Sequence, residues 1–244
     1  MITQQTLIIG ANSEIARALA LQVKLNPAIG LILVSRATEE TAKSQDAQIT
    51  TITVDSYQEN EINLAMTRIM SIAHAPITRV FICNGILHSV DIKPEKRIEG
   101  LQVDAFNKVM SSNALTPMLW IKKLIPILIA KSPCKIIVFS ARVGSISENR
   151  LGGWYSYRAS KAALNMMIKT AAIEVARRDK NIKLVAFHPG TTDTPLSKPF
   201  QRNLASNKLF TSEFVAKQLL SIIEEVTYDQ QASYLDWEGK SINW

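Results

Sequence analysis

The chain has 244 residues, 47% hydrophobic and 20% charged, a composition that suits a folded globular protein and excludes a disordered or repetitive one. Its net charge of +7 is scattered, with no basic run longer than two residues and no interleaved aromatic platform, so nucleic acid is not expected as a partner. The most lipid-like window, residues 118–130, is interrupted by Lys122, Lys123 and Pro126, and Asn12, Glu14 and Arg17 break the first apolar stretch; no membrane span or signal peptide is expected, and the cytoplasm is the expected location.

Short apolar runs alternate with helical patterns along the chain. Residues 6–9 form the first run, closed by Gly10, and an amphipathic helix follows to about residue 25. Runs at 30–34 and 50–54 precede a helix at 59–72. The run at 80–83 ends in Asn84-Gly85, and a longer helical region passes through 113 to 128. A run at 135–139, a loop, and a helix from about 156 to 177 come next. The run at 183–187 ends at Pro189-Gly190, and the chain closes with a helix near 213–225 and a strand near 233–237. Runs separated by helices are βα units, and βα units build parallel sheets covered on both faces. Seven strand candidates with six helical regions predict a single α/β domain over residues 1–244, a Rossmann-like, doubly wound parallel sheet. Ligands of such sheets bind outside the carboxyl ends of the strands, so residues just after strands are the informative ones.

Tyr157 and Lys161 are four residues apart, one turn along a helix, and project from the same face. An ammonium group there is expected to lower the phenol pKa and make the pair a proton donor and acceptor for a carbonyl or alcohol oxygen. The turn after the first strand, Gly10-Ala11-Asn12-Ser13-Glu14-Ile15-Ala16, either opens a helix whose free N–H groups suit a pyrophosphate or is an ordinary βα turn. Only the first glycine of a GxxxGxG spacing is present; Glu14 and Ala16 occupy the other two positions, and the Glu14 carboxylate must turn outward. The second strand ends in Ser35-Arg36, with no acid before Glu39, so Arg36 is either a grip for a 2′-phosphate, favouring NADP over NAD, or a solvated loop cation. Asp55 either holds an adenine amino group or caps a helix. Cys83 and Cys134 lack metal-ligand spacing, His74, His88 and His188 are dispersed, and no metal site is expected.

With Gly10, Asn84-Gly85, Asn113, Tyr157/Lys161 and Pro189-Gly190 in order on strand ends, the chain resembles the short-chain dehydrogenase/reductase family over essentially its whole length. The stretch from Gly144 to Asn165, and His188-Pro189-Gly190-Thr191-Thr192-Asp193-Thr194-Pro195-Leu196, look most like the branch of C-factor-type and sniffer-type carbonyl reductases. The resemblance implies NAD(P)-dependent oxidoreduction of a small carbonyl or alcohol substrate. It implies Tyr157 as acid/base, Lys161 on the nicotinamide ribose, and Asn113 as anchor of a water relay to Lys161. Asn84 and Gly85 would line the adenosine ribose; Pro189, Gly190, Thr192 and Thr194 would seat the nicotinamide amide and the pyrophosphate. Leu119, Trp120 and Leu124 on one long helix and Met166 and Met167 on the next form apolar faces that are either core or subunit interface; the resemblance, whose members commonly pair through these two helices, implies a homodimer or homotetramer.

One position departs from the pattern. Counting back three from Gly144, where the family carries its catalytic serine, gives Ala141. Ser140 is the candidate replacement, although successive strand residues point oppositely, and Ser145 is a second. Trp154 and Tyr155 either contact substrate or pack beneath the loop, His88 reads as a satisfied loop histidine, and residues 200–210 read as a mobile lid. The last residues, 234–244, read as a docked C-terminal segment. The leading expectation is an NADP-dependent carbonyl reductase or alcohol dehydrogenase. The alternative, favoured by Ala141 and Glu14, is a cofactor-binding signalling protein with little turnover.

Overall fold

The structure, a computed structural model, describes residues 1–36, 46–202 and 205–244; Glu39 lies outside the described residues, as do two positions of the expected lid. The chain order is β1 (Gln4–Ile9), α1 (Glu14–Lys24), β2 (Ile29–Arg36), β3 (Ile49–Val54), α2 (Glu59–Ile72), β4 (Ile77–Ile82), α3 (Val103–Met110), α4 (Thr116–Leu128), β5 (Cys134–Phe139), α5 (Tyr155–Ala176), β6 (Ile182–His188), β7 (Thr191–Thr192), β8 (Leu209–Phe210), α6 (Ser212–Glu225) and β9 (Ser233–Asp236). Seven strands form one parallel sheet in the order β3-β2-β1-β4-β5-β6-β9, and β7 pairs with β8 apart from it. This is the expected Rossmann-like sheet.

Period-two alternation sends neighbouring side chains of each strand to opposite faces, and both faces are apolar. Leu7, Ile9, Ile32 and Val34 join one core, with Ile62 and Ile69 of α2, Trp120 and Leu124 of α4, and Leu164 and Ile168 of α5. Ile8, Leu31, Phe81 and Val185 join the other, with Leu19 and Val23 of α1 and Leu219 and Ile223 of α6. Trp120 and Leu124 are therefore core residues, fully buried, whereas Met166 is exposed. The short pair β7–β8 fastens the segment after β6 against the start of α6. At the chain's end the Trp244 ring packs on Tyr234 at a centroid distance of 5.3 Å, as the docked reading expects. Among the described residues, no helix is long and apolar enough to cross a membrane, and no group of three potential metal ligands occurs.

Candidate active site

The site is built at the carboxyl ends of β1, β2, β4, β5 and β6. After β1 the backbone turns at Gly10, whose φ of +78° is accessible to glycine without strain. Ser13 caps α1 by accepting the Ala16 N–H at 3.3 Å. Asn12 donates from Nδ2 to the Arg36 carbonyl at 2.6 Å and ties this loop to the end of β2. Glu14 is exposed on the first turn of α1, where a carboxylate complements the helix dipole; Ile15 is half-buried against the α1/α6 core. Ala16 is fully buried, so the degenerate glycine position serves helix–strand packing.

Beside this turn lies a cleft of about 270 Å³ lined by residues that include Arg36, Asp55, Tyr57, Asn84, Gly85 and Ile86. The Arg36 guanidinium stands 5.8 Å from the centre of the Tyr57 ring, a stacking arrangement that Tyr57 provides unannounced by any motif. Asn84 Oδ1 is buried and has no hydrogen-bond partner among the described residues. A buried acceptor without a donor is costly unless a ligand supplies one. A cation at the rim, an orphaned acceptor in the wall and a helix N-terminus close by fit a phosphorylated adenosine cofactor.

Tyr157 and Lys161 lie on the first turns of α5. Gly144 lets that helix approach: a Cβ there would come within 2.8 Å of Lys161 Cβ. The Lys161 ammonium is buried, donates to the Phe139 carbonyl at 2.8 Å, and lies 5.8 Å from the Tyr157 ring centre. Asn113 occupies a π-helical turn, Ser111–Leu115, between α3 and α4, an irregularity common at functional sites. Its Oδ1 accepts the Ile86 N–H at 2.7 Å, and its Nδ2 donates to the Ile86 carbonyl at 2.8 Å and to Ser160 Oγ at 3.0 Å. Ser160 in turn donates to the Tyr157 carbonyl at 2.8 Å. A Cβ added at Gly85 would stand 3.4 Å from both Asn113 Oδ1 and Lys161 Nζ, so the two groups border one narrow space above Gly85.

Burial governs the titration of the pair. Desolvation brings the Lys161 ammonium down to about 8 and pushes the Tyr157 phenol well above its usual range, with a smaller push from Tyr234. One turn along the helix, the Lys161 ammonium is expected from sequence to lower the phenol pKa. That expectation is corrected: burial outweighs a cation whose ammonium is engaged by the Phe139 carbonyl, and the phenol is held protonated.

Ser140, the candidate replacement, has its hydroxyl engaged elsewhere: it donates to Asn165 Oδ1 at 2.6 Å. Ser145 is turned into its own loop, sharing a hydrogen with Ser147 and accepting the Glu148 N–H at 3.3 Å. The residue that faces Tyr157 is Ala141, packed with Leu87 in a small apolar cluster flanked by Val143, Trp154 and Phe200. The Trp154 ring meets Tyr157 edge-on at 6.1 Å and Phe200 at 4.9 Å, and Phe200 also meets His88 at 5.7 Å. His88 Nε2 lies 3.2 Å from the carbonyls of Pro195 and Leu196. Trp154 thus packs directly against the phenol, and Phe200, from the expected lid, turns inward over it. Leu87 was not legible as a site residue, because loops far apart in sequence bring it against Ala141 and Tyr157.

The segment after β6 carries the remaining expected residues. Thr192 is buried and its hydroxyl donates to the Pro189 carbonyl at 3.4 Å; Thr194 Oγ1 donates to the Thr192 carbonyl at 3.4 Å. Gly190 has φ +71°, and a Cβ there would come within 2.6 Å of the Phe210 ring and 2.9 Å of Trp237. Its lack of a side chain therefore serves aromatic packing beneath the loop.

Together the fold and this constellation define a Rossmann-type protein with a buried Tyr–Lys pair beside a small apolar cluster at the strand ends. Comparison with known proteins sharpens the class: the short chain dehydrogenase family model matches residues 4–205, and the chain belongs to that family of oxidoreductases. Among curated relatives it is similar to 1-hydroxy-2-glutathionyl-2-methyl-3-butene dehydrogenase of Rhodococcus sp. (strain AD45), 26% identical over 66% of this chain and 68% of that one. It is similar to C-signal of Myxococcus xanthus, 26% identical over 56% of this chain and 77% of the relative. It is also similar to an (S)-benzoin-forming benzil reductase of Bacillus subtilis (strain 168), 24% identical over 91% and 93%. Among solved structures, carbonyl reductase Sniffer of D. melanogaster superposes with a TM-score of 0.85 at 20% identity, over 99% of this chain and 100% of that one. A short-chain dehydrogenase/reductase from Burkholderia multivorans with bound NADP gives 0.82 at 22% identity, with the same coverage.

Proposed function

We propose that this chain is an NADP-dependent carbonyl reductase that takes a small, apolar carbonyl compound, Tyr157 donating the proton to the developing alkoxide. The observation that carries the reading is the grouping of a buried phenol packed in a small apolar cluster with the buried Lys161 ammonium, which with Asn113 Oδ1 borders Gly85 at the edge of the Arg36 cleft. A phenol kept protonated by burial is the form that reduction requires, since the acid must hold its proton until the carbonyl oxygen gains charge. The cofactor in its reduced form, NADPH, would supply the hydride and leave as NADP⁺. Arg36 would hold the 2′-phosphate and Asn84 Oδ1 would accept from the ribose, while Asp55 and Gly85 would border the adenosine. Lys161 would hold the nicotinamide ribose and, at an ordinary pH below 8, carry the positive charge that steadies the phenolate once the proton has left. Leu87, Ala141, Trp154 and Phe200 would exclude water from the reacting carbonyl. The same groups run in reverse would oxidise the alcohol. Two copies pairing through α4 and α5, where Met166 and Ile173 are exposed, and action in the cytoplasm belong to the same proposal.

A fluorescence titration with NADPH and NADH tests the cofactor half, with NADPH expected to bind in the micromolar range and more tightly than NADH. Following NADPH oxidation with benzil as probe tests the chemistry. Tyr157→Phe should lower turnover by about 10²–10⁴ while leaving NADPH affinity within about twofold. One observation favours a second reading, a cofactor-binding signalling protein with little turnover: Ala141 leaves the chamber with one fewer hydroxyl donor than its relatives' pattern implies. Under that reading wild type and Tyr157→Phe are equally inactive and bind NADPH equally well.

A further inference from the structure

The catalytic helix lacks a cap of its own. Its N-cap residue, Trp154, offers no side-chain acceptor and sits in the left-handed region at φ 52° and ψ 45°, following Gly152 and Gly153, both at φ 64°. Three successive positive φ values swing the chain abruptly into α5, and the last falls on a bulky residue that avoids this region unless its surroundings hold it there. What holds it comes from another part of the chain. Glu95, in the segment between β4 and α3, is 6% exposed, and no salt bridge to it is found among the described residues. One carboxylate oxygen accepts the Ser156 N–H at 3.2 Å and the other accepts the Ser156 hydroxyl. The Glu95 carbonyl accepts the Trp154 N–H at 2.6 Å. A Cβ at Gly153 would come within 3.3 Å of that carbonyl, so the glycine leaves room for the contact.

We propose that Glu95 is the positioning residue for Tyr157. It supplies in trans the N-terminal cap that α5 lacks, accepting hydrogen bonds at the start of a 22-residue helix, and fixes the backbone immediately before the phenol. The same carbonyl contact holds Trp154 against the Tyr157 ring, so one residue secures both the proton donor and the wall beside it. A buried carboxylate is expensive to keep unless its hydrogen bonds do work, and both oxygens of Glu95 are spent on one residue of the catalytic helix. The catalytic half of this assignment rests on the reductase reading; the structural half does not.

The test uses the full chain with NADPH, comparing wild type, Glu95→Ala and Glu95→Gln. Hydrogen exchange along α5 reads the cap, and kcat and KM with benzil read the positioning. Glu95→Ala should speed exchange at residues 155–158 about tenfold and leave residues 165–175 unchanged. It should lower kcat at least tenfold with KM for NADPH within twofold, and Glu95→Gln, which keeps an acceptor oxygen, should recover most of kcat. Uniform acceleration along α5, or a loss of kcat no larger than the loss of folded protein, would overturn the assignment. Equal losses in the Ala and Gln variants would overturn it too, since a charge rather than a cap would then be at work. Should Glu95→Ala not fold, Ser156→Ala removes one partner from the helix side and is judged by the same criteria. Should wild type leave benzil untouched, the reductase reading fails for that probe, and the exchange pattern alone still upholds or overturns the cap.

Discussion

Ala141→Ser returns a hydroxyl to the wall that faces Tyr157. The backbone there is held on both sides: the Ser140 N–H donates to the Phe187 carbonyl at 2.8 Å, and the Tyr234 hydroxyl donates to the Ala141 carbonyl at 2.6 Å. A serine Cβ therefore takes the place of the alanine methyl, in contact with Tyr157 and Leu87, and carries its Oγ toward the chamber. Losing one donor to a developing oxyanion costs about 10²–10³ in kcat, roughly 3–4 kcal/mol. Restoring one in a site not shaped around it should recover part of that, about 10–100-fold for a ketone such as acetophenone, which has no second activating group. Benzil, whose neighbouring carbonyl already draws electrons from the reacting one, should gain less. The new hydroxyl is nearly buried and costs about 1–3 kcal/mol when it has no partner, so a fall in Tm of a few degrees accompanies the gain. The assay is NADPH oxidation at saturating cofactor with each ketone, beside an NADPH titration. If kcat is unchanged or lower for both ketones while NADPH binds as before, the idea that the chamber is short of a donor is wrong.

Arg36→Ser should weaken NADPH binding roughly 10–100-fold, the value of charge-assisted hydrogen bonds to a phosphate, and leave NADH affinity unchanged; an equal loss for both cofactors would reduce Arg36 to a packing role over Tyr57. His188 gives a pH signature. Burial, aided by the Arg142 charge, lowers its pKa to about 3, and its Nδ1 has no hydrogen-bond partner among the described residues, so the folded chain holds it neutral. Below its ordinary value of 6.5 the unfolded chain binds a proton that the folded chain refuses, so stability falls with pH from 6.5 down to about 3. The part due to His188 is about 2 kcal/mol between pH 7 and 5. Urea melts at both pH values should show His188→Gln losing less stability than wild type by about that amount; parallel losses would show that His188 is not the titrating group.

The fold was legible because its physics is local. Alternating apolar runs and 3.6-residue patterns are written within single segments, which is why the helix expected at 59–72 coincides with α2 and the run expected at 135–139 falls inside β5. Residues on strand ends and one helix face were legible for the same reason: Tyr157 and Lys161 needed only helix geometry, and Asn84-Gly85 needed only the end of a strand. Gly190 shows the limit of motif reading. It stands where a cofactor-seating glycine was expected, yet its close contacts are with Phe210 and Trp237, some 20 and 47 residues on, which no local pattern reveals.

What escaped the sequence depends on where the chain directs a side chain after regular structure stops. Strand alternation carried through the end of β5 set Ser140 and Ala141 on opposite sides, and this held: Ser140 faces Asn165 and Ala141 faces Tyr157. The alternative, an early break in the strand, would have turned Ser140 to the phenol, and only the Ser140 N–H bond to the Phe187 carbonyl, which prolongs strand geometry past Phe139, decides between them. Glu95 escaped for a deeper reason. A cap is ordinarily sought in the residue that precedes its helix, but here that residue is a tryptophan packed on the Tyr157 ring, whose indole carries only a donor and cannot accept from the helix's free N–H groups. Giving Trp154 to the wall is what transfers the cap to a distant loop, so the composition of the chamber and the anchoring of the catalytic helix are one structural decision.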